Sequence, residues 1–534
     1  MTSKPLSFAT AAWQQAPKPE PTPLMAALQR ANHGPVSTFG WDSVFTIRID
    51  AVNAELKRDG AGPAGFEQTI DDGHSAEAQF GDWSIANTGD GKLINFNVPL
   101  KNVRAVIGGV EKAMPNALAT VQVELEFVPQ SSLLSGRMGA RLPQLAALAH
   151  SLPAANDGDD SSASGDAMEL HHLVIKTRAE APLMGALAND ALAGQRDAAR
   201  LQPLKFDTSG PAPGMMDKTV VEVALSQWLN ANLDAFAHIF ASVNLAREVG
   251  SGAFSWLKPT HASYAFQSGN DQTDPQLAIL CMSEQRDASY LYSVVAQGAL
   301  TEGEDSGTFV ISGRRLLDQM IRNALPSAFK GLKKTDAVLN QAGTELVVAK
   351  PVHLTQVDHD GKKYDALLNH LSISLDGSQL VVESHSDTEV SPGVHSECSV
   401  RSCFTIGLMI LPDGNRTLEY KLVNEDTHHS TRHDTGIEIL KWILLAVGVI
   451  VGVVLGALTG GAAGVLVVAL VALVFGVLQY LPDMIAAINK NNAPPIDLLV
   501  TNATAPIHWS GGRKFQLTDV CLNESLLLTG VMAR

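Results

Sequence analysis

The sequence predicts an α+β fold in which helices pack on antiparallel sheets, and three observations carry the prediction. Apolar residues alternate at period two through runs near residues 94–127 and again beyond 345. One long stretch, 217–240, instead repeats its apolar residues every three or four positions. Asp-Gly pairs at Asp90-Gly91, Asp360-Gly361, Asp376-Gly377 and Asp413-Gly414 separate alternating runs where hairpin turns belong.

Residues 1–35 read as a flexible arm. Pro17, Pro19, Pro21 and Pro23 keep it extended, and it lacks the apolar core of a secretory signal. Structure is expected from Val44, where Ile47, Ile49, Val52 and Leu56 suit a segment that starts extended and continues as a helix. Ile94, Phe96, Val98 and Leu100 share one parity. Val121, Val123, Leu125 and Phe127 alternate with Gln122, Glu124 and Glu126, a strand with one wet face. Residues 156–166 form an acidic loop without the ligand order of a calcium site, and 170–177 resume a strand.

In 217–240, Val221, Leu225, Leu229, Leu233, Phe236 and Phe240 make one apolar helical face with Asp217 as its cap, a spine for a sheet to wrap. A second unit follows, dividing the chain into 36–250 and 251–534. Its strands are expected at 254–266, 277–282 and 308–311. Ser312 caps a helix carrying Leu316, Leu317, Met320, Ile321 and Leu325, which Pro326 ends or kinks. An antiparallel meander occupies the region beyond 345, and short strands return at 496–500 and 515–520.

Gly448, Gly452, Gly456, Gly460 and Gly464 stand four apart inside 442–482, a run without a charged residue. On a helix they form a smooth stripe that lets another backbone approach. The two arms of 17 residues would each be roughly 25 Å long as helices, near the lower limit for crossing a bilayer core. A buried helical hairpin over 437–490, a hairpin that inserts conditionally into membrane, and a two-pass anchor all fit this pattern.

A net charge of −16 and a pI near 5.4 argue against nucleic acid or an anionic membrane surface held by bulk electrostatics. Four cysteines, Cys281, Cys398, Cys403 and Cys521, are too few for a disulfide framework in 534 residues. They read as free thiols of a cytoplasmic protein, or of one exported without a signal peptide. No phosphate loop, nucleophile elbow or HExxH helix is present, so neither an enzyme nor a cofactor is expected. Asp426, His428, His429, His433 and Asp434 form the densest titratable cluster, read as an exposed polar connection and not as a metal site. His171, His172 and His359 read as surface residues.

Thr38-Phe39-Gly40-Trp41-Asp42-Ser43-Val44-Phe45, followed by Ile49 and Val52-Asn53, resembles the clostridial OrfX and P-forty-seven family. A second similar passage runs from Phe309-Val310-Ile311-Ser312 through Leu316-Leu317 to Leu325-Pro326. The resemblance covers the chain from about Val36 onward. It implies an elongated tubular lipid-binding (TULIP) architecture of two lobes, with long helices wrapped by curved antiparallel sheets. It also implies an apolar groove, lined here by Val221, Leu225, Leu229, Leu233 and Phe236, and partners among lipids and toxin-complex proteins. It carries over no catalytic residue, and Phe39, Gly40, Trp41 and Asp42 are expected to be structural.

Overall fold

The computed structural model describes residues 34–134, 143–151, 168–177, 198–208, 212–246, 254–270, 273–300, 306–328, 331–354, 357–359, 362–391, 394–410, 416–431 and 496–533. Within them the protein is β-rich with few helices. A 14-stranded sheet is accompanied by sheets of eight and four strands.

The main sheet is built around Ser43–Arg48, which pairs antiparallel with Gln276–Ser283 on one side and Ser306–Ser312 on the other. Gln276–Ser283 is buried at every position, so both faces of the sheet are covered there. Its apolar run Leu277-Ala278-Ile279-Leu280 shows no alternation for that reason. Outward on one side come Pro259–Gln267, Ser84–Gly91, Leu93–Ile107, Ala117–Val123 and Ala199–Leu201. On the other side Ser306–Ser312 is followed by Ser525–Ala533 and Lys514–Leu522. Strands from before and after residue 250 therefore lie side by side, and one apolar cluster runs from Phe45 to Met532.

The helix Ile49–Asp59 leaves the central strand directly and ends at Gly60. Gly60 is left-handed (φ 58°), and its N–H closes on the carbonyls of Leu56 and Lys57. The helix Met215–Asn232 packs across Gly65–Asp71, His74–Phe80 and Ala199–Leu201. It is shorter than the spine expected over 217–240. A 3-10 turn at Leu233–Ala235 follows, and Phe236 is extended (φ −81°, ψ 108°).

Three other expectations change. The run 121–127 is two strands, Ala117–Val123 and Leu125–Pro129, which join different sheets. Residues 496–500 begin the helix Ile496–Thr504, and the buried Ile496, Leu499, Val500 and Ala503 show its three-four spacing. Pro326, expected to end or kink its helix, lies inside the helical segment Arg322–Ala328, so of the two only the ending is overturned. The four-stranded sheet places Met168–Ile175 between Leu125–Pro129 and Ala241–Ala246. Its outer side carries a small core of Val128, Leu133, Leu145, Ala149, Val174 and Ile239. His172, expected at the surface, is 0% exposed as a result. The hairpin 437–490 and the loop 156–166 lie outside the described residues.

Candidate functional site

The motif turn begins with two left-handed residues, Phe39 (φ 51°) and Gly40 (φ 95°). The left-handed backbone favours glycine at 40, and a Cβ there would also sit 2.8 Å from Leu291 Cδ2 and force that side chain to shift. Thr38 Oγ1 donates to the Trp41 carbonyl (2.6 Å), and the Trp41 N–H donates to the Thr38 carbonyl (3.0 Å). Trp41 is 2% exposed. Its Nε1 donates to the Tyr292 carbonyl (3.0 Å), and its ring lies parallel to His261 with centroids 6.1 Å apart.

Asp42 enters a buried ionic network. Its carboxylate accepts from the Ser283 N–H (2.9 Å) and the Ser283 hydroxyl (2.6 Å), and pairs with Arg286 and Arg315. Arg315 comes from the helical turn capped by Ser312, whose Oγ accepts from the Arg315 N–H (3.3 Å). The buried guanidinium reaches Glu284 (2.7 Å), donates to the Trp256 carbonyl (2.9 Å) and lies over the Trp256 ring. Burial, and then the charges of Arg315 and Arg314, push Arg286 down to about 10.

The two motif passages are thus neighbours in space. Phe45 pairs with Phe309 in register, and their rings meet edge-on at 5.7 Å. Sequence reading named Asp42 and Ser312 but missed Ser283, Glu284, Arg286, Arg315 and Trp256. No local periodicity marks these residues, because their relation to Asp42 arises from strand pairing across more than two hundred positions. Every charge in this network meets a counter-charge or a carbonyl, so chemically it is an anchor.

The second candidate region lies under the helix Met215–Asn232. Val221 and Leu225 are fully buried, with Leu229, Leu233 and Phe236 nearly so. A continuous aromatic seam joins this helix, through its own Trp228 and the following Phe236, to the sheet. Phe66 stacks on Phe80 (5.8 Å), which meets Trp228 (5.4 Å) and Trp83 (5.6 Å). Trp83 meets Phe236 (5.2 Å), Phe236 meets Phe96 (5.6 Å), and Phe96 meets Phe240 (6.3 Å). Phe80 and Trp228 are half-buried, so the seam begins near the surface and ends in the core.

Polar pins holding this helix sit along its length. Asp217 pairs with Lys112 (2.9 Å), which holds its carboxyl below the usual carboxylate range. Glu222 accepts from the Leu204 N–H (2.9 Å), and Asn230 exchanges two 3.1 Å bonds with the Ala199 backbone. Nearby, Ile47, Val52, Glu55, Phe240, Trp509 and Met532 line a cavity of about 10 Å³. That is about the space of one water.

The glycine stripe (Gly448, Gly452, Gly456, Gly460, Gly464) lies outside the described residues, as do His433 and Asp434. Asp426, His428 and His429 belong to the strand Arg416–Thr431, with His428 opposite Ser399 and His429 opposite Cys398. The polar connection expected there is part of a sheet as far as Thr431. Among the described residues no three His, Cys, Asp or Glu side chains are grouped to hold a metal, and no helix is long and apolar enough to cross a membrane. Cys281, Cys403 and Cys521 are buried thiols that form no disulfide among the described residues.

A β-rich protein with one long antiparallel sheet, an ion-locked motif turn and an aromatic seam joining a single helix to that sheet is the class these features define. The chain belongs to the OrfX-like family: the family model described as Protein OrfX2/OrfX3/P47 matches residues 38–530. It is 27% identical over 521 residues to Protein OrfX3 of Paraclostridium bifermentans, covering 92% of this chain and 98% of that one. To Protein OrfX3 of Clostridium botulinum (strain Kyoto / Type A2) it is 26% identical over 520 residues, covering 93% and 98%. The fold is similar to the solved structure of P47 from Clostridium botulinum A2, with a TM-score of 0.56 at 16% identity over 93% of this chain and 98% of that one.

Proposed function

We propose that this chain is a non-enzymatic binder of lipid or another hydrophobic ligand, built on a TULIP-type arrangement, and an accessory factor of a toxin or secreted complex. The observation that carries the ligand reading is the aromatic seam between helix and sheet, which runs from half-buried Trp228 of the helix and Phe80 of the sheet to fully buried Phe96 and Phe240. Aromatic and aliphatic walls with a few peripheral polar groups are the chemistry of hydrophobic-ligand sites. In this reading the ligand enters by displacing the helix Met215–Asn232 from the sheet, since its inner side chains fill the space in the closed form. The accessory role rests on the family resemblance.

Titration of the full chain with a fluorescent fatty acid tests the ligand reading. Saturable binding that weakens at least ten-fold in Trp228→Ala, with the fold retained, is the expected result. Equal binding by Trp228→Ala and Phe80→Ala would remove the seam as the site. A second reading is membrane insertion through the 437–490 hairpin, favoured by the uncharged, glycine-striped run 442–482 within it. Dye release from liposomes, lost when 442–481 is deleted, would favour it.

A further inference from the structure

Exposed aromatic side chains gather at the motif turn. Among the described residues, the aromatics that stand openly exposed are Phe39 (46%), Tyr290 (71%) and Tyr292 (81%), and all three lie here. Leu291 packs on the small core that holds Val36, Trp41 and Val44, while its two neighbours remain in the open. The loop carrying them is held along its length. Glu284 and Gln285 are left-handed (φ 57° and 55°) beside the Asp42 network. The Leu291 N–H donates to the Ala288 carbonyl (3.0 Å), and the Tyr292 carbonyl accepts from Trp41 Nε1 (3.0 Å). Across the turn, the Phe39 N–H donates to Ser37 Oγ (3.0 Å). A backbone fixed in this way loses little freedom on binding, and tyrosine and phenylalanine are favoured at recognition surfaces.

The chain itself supplies an occupant of matching chemistry. Residues 1–33 lie outside the described residues, and the described chain starts beside this surface. The Gly34 carbonyl accepts from Asn523 Nδ2 (2.9 Å), and the Val36 N–H donates to the Asn523 carbonyl (3.3 Å). The Val36 side chain shares the small core with Trp41 and Leu291. Pro23 stands eleven residues before Gly34, a stretch that can span up to about 36–40 Å. Residues 17–23, Pro-Lys-Pro-Glu-Pro-Thr-Pro, hold four prolines in seven positions. Such a sequence favours polyproline II, a form that docks on aromatic surfaces with little entropy to lose. The charges of Lys18 and Glu20 cancel. In the loop, Glu284 is taken up by Arg315 and Arg286 by Asp42, and Asp287 and Lys92, both near enough to act on His261, oppose each other in sign. Ring contact, not charge, therefore selects what binds.

We propose that the proline tract 17–23 of this chain docks on Phe39, Tyr290 and Tyr292 as an intramolecular cover of the motif turn. A tether of this length sets an effective concentration on the order of millimolar, so a contact too weak to hold a separate peptide is enough. None of these residues belongs to the seam, so the cover stands or falls apart from the ligand reading.

The test is the rate at which tetranitromethane nitrates each tyrosine of the full chain, read by peptide mass spectrometry. The unaltered chain is compared with one carrying Pro17→Ser, Pro19→Ser, Pro21→Ser and Pro23→Ser. Tyr264, 2% exposed, reports on the fold and is expected to stay unreactive in both. The expected result is nitration of Tyr290 and Tyr292 at least five-fold slower in the unaltered chain, with millimolar peptide of residues 14–26 restoring protection to the proline variant. Equal rates at both tyrosines would overturn the proposal. So would protection that is the same in both chains and grows with protein concentration, which would place a second copy on the surface. A binding measurement needs no nitration: the fluorescently labelled 14–26 peptide is expected to bind the proline variant at least ten-fold more tightly than the same chain that also carries Tyr290→Ala and Tyr292→Ala. Equal binding to the two would contradict docking on these rings.

Discussion

Asp42 is the residue on which the motif turn depends. It is 5% exposed and receives two hydrogen bonds from Ser283 besides its pairing with Arg286 and Arg315. Removing one member of a buried ionic set leaves the others charged and unmatched, at a cost of about 3–5 kcal/mol. Asp42→Ala should therefore lower the unfolding free energy by that amount in denaturant titration, and a loss below about 1 kcal/mol would contradict the network. His172 makes a second prediction at this scale. Burial, then the nearby charge of His171, pushes its pKa down to about 4, and its Nδ1 is bonded to Ser242 Oγ at 2.8 Å. The unfolded chain takes up the proton near pH 6.5 and the folded one does so only near 4. Between those values the unfolded state binds more protons, so stability falls as the pH drops, by about 3 kcal/mol from this site. His172→Gln should flatten that part of the stability profile measured by denaturation from pH 7 to pH 4.

At the scale of elements, the helix Met215–Asn232 was legible because its apolar face repeats at three and four. Its end was not. Leu233 and Phe236 continue the spacing in sequence, yet the backbone turns extended so that Phe236 and Phe240 can meet Phe96. Tertiary packing of these rings overrides periodicity at that point. Leu225 is fully buried against the sheet, and Leu225→Ala should cost about 2–5 kcal/mol in unfolding free energy. The turn at Gly511 is a stricter case. Its φ is +85°, and a Cβ there would come within 2.4 Å of Glu55 Oε2, the carboxylate that Arg513 holds by its other oxygen at 3.0 Å. Gly511→Ala should therefore both strain the turn and displace Glu55, lowering the melting temperature more than the exposed, unobstructed Gly512→Ala does. The helix at Ile496–Thr504 was misread as a strand because its first five residues are all compatible with either period.

For the whole molecule, local patterning revealed strands and turns but not their partners. Ser43–Arg48 lies between strands more than two hundred residues away, and a period of two reports which face is buried, not which strand lies alongside. The same gap hid Ser283, Arg286 and Arg315 from the reading of Asp42. The motif itself was visible, and the structure makes it the junction where the first central strand meets the last third of the sheet. The continuous core from Phe45 to Met532 includes the inner side chains of the helix Met215–Asn232, among them Val221, Leu225 and Leu229. The proposal with the widest consequence is that a hydrophobic ligand occupies the aromatic seam between that helix and the sheet. Native mass spectrometry of the full chain purified without detergent, followed by organic extraction, tests it most directly. A bound acyl lipid in the unaltered chain, and its loss in Trp228→Ala, is the expected result. A chain of bare polypeptide mass that takes up no lipid on incubation with vesicles would contradict ligand binding in the seam.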